Sequence, residues 1–190
     1  MKKIITISIA TVLCSSLMAM NAKPNHTGVK KEGIKYIKML GMSLKSELKP
    51  KMKEDKSGLG AIGFCANKAE EITKDVNAKL PSYASVRRTA NRLRNPDNKA
   101  DSIDKKVMQE YELAIQNKTF SPKNIKIFDV NGTTRVYKPL VMKKMCLKCH
   151  GSNVSDSIKK VITSKYPNDK ALGYKEGDFR GVIVSEIKKH

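Results

Sequence analysis

Apolar positions along the chain fall into blocks that differ in period. Residues 4–20 form one run of apolar or small side chains with no charge, preceded by Met1-Lys2-Lys3. A basic start, an apolar stretch and small residues behind it (Ala19, Ala22) are the three parts of a secretory signal, so residues 1–22 read as a cleaved leader. The run spans about 17 residues, at the lower limit for crossing a bilayer, which leaves an uncleaved membrane anchor as the alternative. Cys14 lies inside it behind Leu13, a poor lipidation context. No second long apolar stretch follows. The expectation is an exported, soluble, periplasmic protein.

Residues 23–33 are polar and read as a loose lead-in. Ile34, Ile37, Leu40, Leu44 and Leu48 then recur at helical spacing until Pro50 and a charged stretch interrupt them. Ile62, Cys65, Ala69, Ile72 and Val76 mark the face of a second helix ending near Leu80-Pro81. Residues 81–100, with Arg87, Arg88, Arg92 and Arg94, read as a loop closed by Asn95-Pro96-Asp97-Asn98. A third helix, capped by Asp101 or Ser102, has Ile103, Val107, Tyr111 and Ala114 or Ile115 on one face.

The period then changes. Two β-branched runs flank Asn131-Gly132, a pair that tolerates positive φ and signals a hairpin. A short helix with Ile158, Val161 and Ile162 follows, then a Pro/Gly-rich loop over residues 167–181 and a last strand at 182–187. The order predicts an α+β fold, N-terminal helices packed on a small antiparallel sheet. The division expected is a signal at 1–22, a lead-in and helix at 23–56, and the main domain at 57–190.

The chain has 190 residues and a formal charge of +20. Loss of residues 1–22 removes Lys2 and Lys3 and no acid, which lowers the charge by two, to +18. Such a balance invites nucleic acid. The basic residues are spread over every segment, without a binding motif, and export separates the chain from nucleic acid. An acidic redox partner or an anionic membrane surface is the expected encounter. Trp is absent and aromatics are 5%, so the core is aliphatic unless a cofactor completes it.

Three cysteines remain after the leader: Cys65, Cys146 and Cys149. Cys146-Leu147-Lys148-Cys149-His150 is C-x-x-C-H, the attachment pattern of c-type haem. At helical spacing i, i+3 and i+4, two thiols and an imidazole share one face. The thiols can form thioethers with two vinyl groups, and His150 can reach the iron as proximal ligand. A zinc site lacks a second Cys pair, and a thioredoxin-like motif belongs early in a βαβ unit. One motif implies one covalent haem c. For the second iron ligand the residues leave open Cys65, a methionine (Met39, Met42, Met52, Met108, Met142 or Met145), His26, His190, or nothing.

Several blocks carry a resemblance over residues 59–187: Cys65 in its helix, Arg87-Arg88-Thr89, Arg94-Asn95-Pro96-Asp97-Asn98, Lys138-Pro139-Leu140, Cys146 to Gly151, and Tyr166 to Gly181. Together they resemble small single-haem c-type proteins with a PAS-like α+β fold, a family formerly described as a domain of unknown function. The resemblance implies a His/Cys six-coordinate iron, with His150 and Cys65 as ligands. Such proteins often carry a Trp-Glu pair after the Asn-Pro turn, where this chain has Ser102-Ile103-Asp104. Arg87, Arg88, Arg92 and Arg94 are candidate partners for the haem propionates. The function expected is one-electron transfer by a cytochrome rather than an enzyme, since no distal His-Arg pair is evident. A haem-based redox or gas sensor signalling through a separate partner is the alternative.

Overall fold

A computed structural model describes residues 26–188. The leader reading, with Cys14, and the candidate ligand His190 lie outside the described residues.

The sheet grows from the Asn131-Gly132 turn. Asn131 has φ of +47° and Gly132 of +75°, and the turn joins β2 (Lys126–Val130) to β3 (Thr133–Val141). The last strand, β4 (Phe179–Lys188), pairs with β3 on one side and with β1 (Ala84–Thr89) on the other. The order is β1-β4-β3-β2, antiparallel throughout. β4 is central and covered on both faces, which explains its unbroken Val182-Ile183-Val184 run.

One face of the sheet carries α1 (Thr27–Glu54) and α3 (Ala69–Ala78). Tyr36, Ile37 and Leu40 of α1 and Val76 of α3 pack there on Val86, Val136, Ile183 and Ile187. The other face carries α4 (Ser102–Gln116), whose Val107, Met108 and Tyr111 meet Tyr137, Val182 and Val184. Each fully buried aliphatic side chain contributes about 1.5–3 kcal/mol of transfer free energy. Asp101 and Asp104 form a reciprocal capping box at the start of α4. A third cluster joins α2 (Leu59–Asn67) to α6 (Asp156–Lys165) through Ile62, Val154, Ile158 and Ile162, and Cys65 and Cys149 pack against it. Among the described residues no helix is long and apolar enough to cross a membrane.

The structure departs from the sequence expectations in four places. The lead-in is helical from Thr27, and α1 is part of the first core rather than set apart from it. Its helix also passes Pro50, which is exposed near the C-terminal end, where the missing N–H deprives no buried acceptor. The second helix is two, because the backbone turns at Lys68 (φ −112°) so that α2 meets α6 while α3 meets β1. Residues 84–89, expected in a loop, form the edge strand β1.

Candidate cofactor-binding site

Cys146 ends a 3-10 turn (Lys144–Cys146), and α5 (Leu147–His150) adds one helical turn. Cys146, Cys149 and His150 therefore line the same cavity, of about 310 Å³. Cys65 of α2 lines it as well, so residues 81 or more positions apart in sequence meet there. All three thiols are free. The remaining wall is largely apolar and includes Leu48, Met52, Ile62, Leu93 and Leu140. Among the described residues no three His, Cys, Asp or Glu side chains converge to hold a bare metal ion.

The imidazole is held in one tautomer. Nδ1 of His150 lies 2.7 Å from the Ala171 carbonyl oxygen, which can only accept, so Nδ1 carries the proton and Nε2 keeps its lone pair. Burial, reinforced by the charges of Arg94 and Arg180, pushes the His150 pKa down to about 3. Burial, with Cys149 nearby, pushes the Cys65 thiol up to about 11, and burial raises Cys149. Burial therefore favours the protonated thiol at both positions, and a bound cation would favour the thiolate.

A strap from the 167–181 loop supports this turn. Arg94 donates to the Cys149 carbonyl at 2.6 Å and pairs with Asp169 at 3.1 Å, both side chains being under 10% exposed. Asp169 accepts the Ala171 N–H at 3.0 Å, which fixes the carbonyl that His150 uses. Tyr174 N–H donates to the His150 carbonyl at 2.9 Å. The guanidinium of Arg92 lies 4.0 Å above the Tyr174 ring and donates to the carbonyls of Lys170 and Leu172.

Of the arginines expected at the site, Arg88 and Arg94 line the cavity. Arg88 is buried, its pKa lowered by burial, and its Nε has no hydrogen-bond partner. Arg87 does not reach the cavity. Alternation along β1 sends it to the other face, where it holds Asp104 bidentately at 2.9 and 3.1 Å and Glu186 at 2.9 Å. Its charge is spent in that network. Sequence reasoning missed Arg180 and Tyr166, which line the cavity. The signal for Arg180 is the same alternation: its neighbour Phe179 packs against the second core.

The alternative ligands are mostly elsewhere. Met108 is buried in the second core, Met39 packs against the first, and Met42 is 68% exposed. Met142 packs with Ala171 and Tyr174, and His26 lies 3.5 Å from Asp129. Met52 and Met145 do line the cavity.

The fold has a solved counterpart. The crystal structure of the cyanobacterial heme-protein Tll0287 superposes with a TM-score of 0.61, covering 89% of this chain and 98% of that one at 18% identity. No curated protein matches. Residues 9–187, nearly the whole length, match the family described as Tll0287-like, and with the shared fold this places the chain in that family: it belongs to the Tll0287-like proteins.

Proposed function

We propose that this chain binds one haem c in the cavity and acts as a single-haem electron carrier rather than an enzyme. The observation that carries the proposal is the grouping of Cys65, Cys146, Cys149 and a neutral His150 around one largely apolar cavity. The kinship with Tll0287, a heme-protein, supports it.

Cys146 and Cys149 would hold the group through thioethers, each thiol contributing its sulfur and its hydrogen to one vinyl group. His150 would hold the iron through its Nε2 lone pair, and the Ala171 carbonyl fixes the ring as carbonyls do for ligating histidines generally. Cys65, on the other wall, is the second ligand. Arg88, buried on the cavity wall with an unpartnered Nε, would supply positive charge beside the propionates, whereas Arg94 lines the cavity with its charge committed to Asp169. The bound haem supplies a reversible one-electron couple. Low exposure of the ligating side chains limits the solvent rearrangement that each change of charge would demand.

Residues 1–22 direct export, which places haem attachment in the periplasm, where the thiols must meet the cofactor. The test is expression of the full chain in a bacterium with a c-type haem maturation apparatus. The expected product, denatured and weighed, is the chain without its leader plus one haem, with that added mass lost when Cys146 and Cys149 are both changed to Ala. Mature wild-type protein without covalent haem would overturn the proposal.

A further inference from the structure

Beside the cavity lies a second, more open cleft of about 910 Å³, which shares Met52 and Met145 with it. Lys49 and Lys53 enter it from the end of α1, and Lys144 and Lys148 from the turn that carries Cys146 and Cys149. All four lysines are exposed. None takes part in an ion pair among the described residues, and no acidic side chain lines the cleft. Glu176 accepts the backbone N–H of Lys144 at 3.2 Å and forms no ion pair with its ammonium. Lys148 is steadied by a hydrogen bond to the Lys56 carbonyl.

We infer that this lysine-rimmed cleft is the docking surface for an acidic redox-partner protein, so that electrons cross at the Met52–Met145 edge of the cofactor cavity. The inference rests on the electron-carrier reading and locates its partner. Four uncompensated ammonium groups around an apolar floor match an acidic rim around an apolar tip, the usual arrangement of steered encounters. The concavity selects the class of partner: a protruding acidic segment fills a cleft, whereas a bilayer surface meets only its rim. Met52 and Met145 give the floor flexible, polarisable contacts that adapt to a protein surface.

The test uses the matured, haem-loaded protein and two fourfold variants with equal loss of charge. One carries Lys49→Glu, Lys53→Glu, Lys144→Glu and Lys148→Glu. The control carries Lys68→Glu, Lys106→Glu, Lys159→Glu and Lys160→Glu. Poly-glutamate serves as the acidic polypeptide probe, titrated at low salt with the cleft followed by the amide NMR signals of residues 144–153. The expected result is binding that weakens about tenfold or more in the cleft variant, stays near wild type in the control, and is abolished by added salt. Equal weakening in both variants would reduce the effect to net charge and overturn the inference. Binding to phosphatidylglycerol vesicles through the same lysines, without binding to poly-glutamate, would overturn it in favour of a membrane. Haem content and the absorption spectrum are read on the same samples. Loss of the electron-carrier reading would show there as absent haem, whatever the probe does.

Discussion

Nδ1 of His150 donates to the Ala171 carbonyl at 2.7 Å, and that carbonyl is itself fixed by Asp169, which accepts the Ala171 N–H and pairs with Arg94. The imidazole therefore depends on an ion pair two steps away. Arg94 and Asp169 are both nearly inaccessible, so removing one partner strands a buried charge, a loss of about 3–5 kcal/mol. Arg94→Met is expected to lower the free energy of unfolding by that amount in urea titrations. Asp169→Asn keeps the oxygen that receives Ala171 N–H while replacing the oxygen that accepts from Arg94 with a donor amide, and so tests the ion pair apart from the Ala171 bond. It should lower stability while leaving the His150 ring NMR signals close to their wild-type positions, whereas Asp169→Ala should displace them.

A second ion-stabilised turn positions Cys65 from the opposite wall. Asp55 accepts from Ser57 and from the Gly60 N–H at the entry of α2, and these bonds, the Ser57 hydroxyl first, hold its carboxyl down to about 2. The folded value lies below the unfolded one, so the stabilisation is present above about pH 4 and is lost as pH falls toward 2. Asp55→Ala is expected to unfold more easily than wild type at pH 6. The gap between the two should narrow steadily between pH 4 and pH 2, followed by circular dichroism in denaturant. A gap independent of pH over that range would remove Asp55 from the entry of α2.

The parts of this molecule that were legible in its sequence are those where one local rule acts alone. The Asn131-Gly132 hairpin needs only two residues that accept positive φ, and the helical turn that brings Cys146, Cys149 and His150 to one side needs only the i, i+3, i+4 spacing. β1 was not legible because an edge strand with a single buried aliphatic, Val86, lacks the alternation that marks strands. That same miss misplaced Arg87, since a loop has no faces and a strand has two. The α2–α3 break was hidden because both helices keep the same three-and-four spacing while facing different partners. Arg180 was hidden because the last strand reads from the sequence as starting at 182, while β4 starts at Phe179 and carries the alternation back to Arg180.

Gly33 marks where α1 lies closest to the sheet. A Cβ built there would stand 2.6 Å from Cγ2 of Val136, a stiff β-branched side chain in the middle of β3. Helix propensity favours Gly33→Ala by about 0.5–1 kcal/mol. Overpacking of a buried contact costs about 1–3 kcal/mol and opposes it. The second effect is expected to win, so Gly33→Ala should lower the thermal midpoint. Pairing it with Val136→Ala, which removes both Cγ methyls but leaves the Val136 Cβ at 2.7 Å, should recover only part of the loss relative to the sum of the single variants.

Cys65 separates a ligand from a packing residue. Its side chain packs against the α2–α6 cluster, and burial raises its thiol to about 11. A thiol that merely fills space keeps its proton, and Cys65→Ala would then cost only packing and leave the haem spectrum alone. A thiolate on the iron donates charge and favours the oxidised state, so its removal must do more. In matured protein, Cys65→Ala is expected to keep covalent haem, lose the thiolate features of the oxidised spectrum and raise the midpoint potential. Cys65→Met, which retains sulfur and bulk but not the negative charge, should raise the potential too while preserving more of the stability. Carbon monoxide binding in the Cys65→Ala variant, where wild type binds none, would report that removal of the thiol has opened the iron to a ligand. If spectrum and potential match wild type in both variants, the thiol is structural and the second ligand falls to Met52 or Met145, the methionines that line the same cavity.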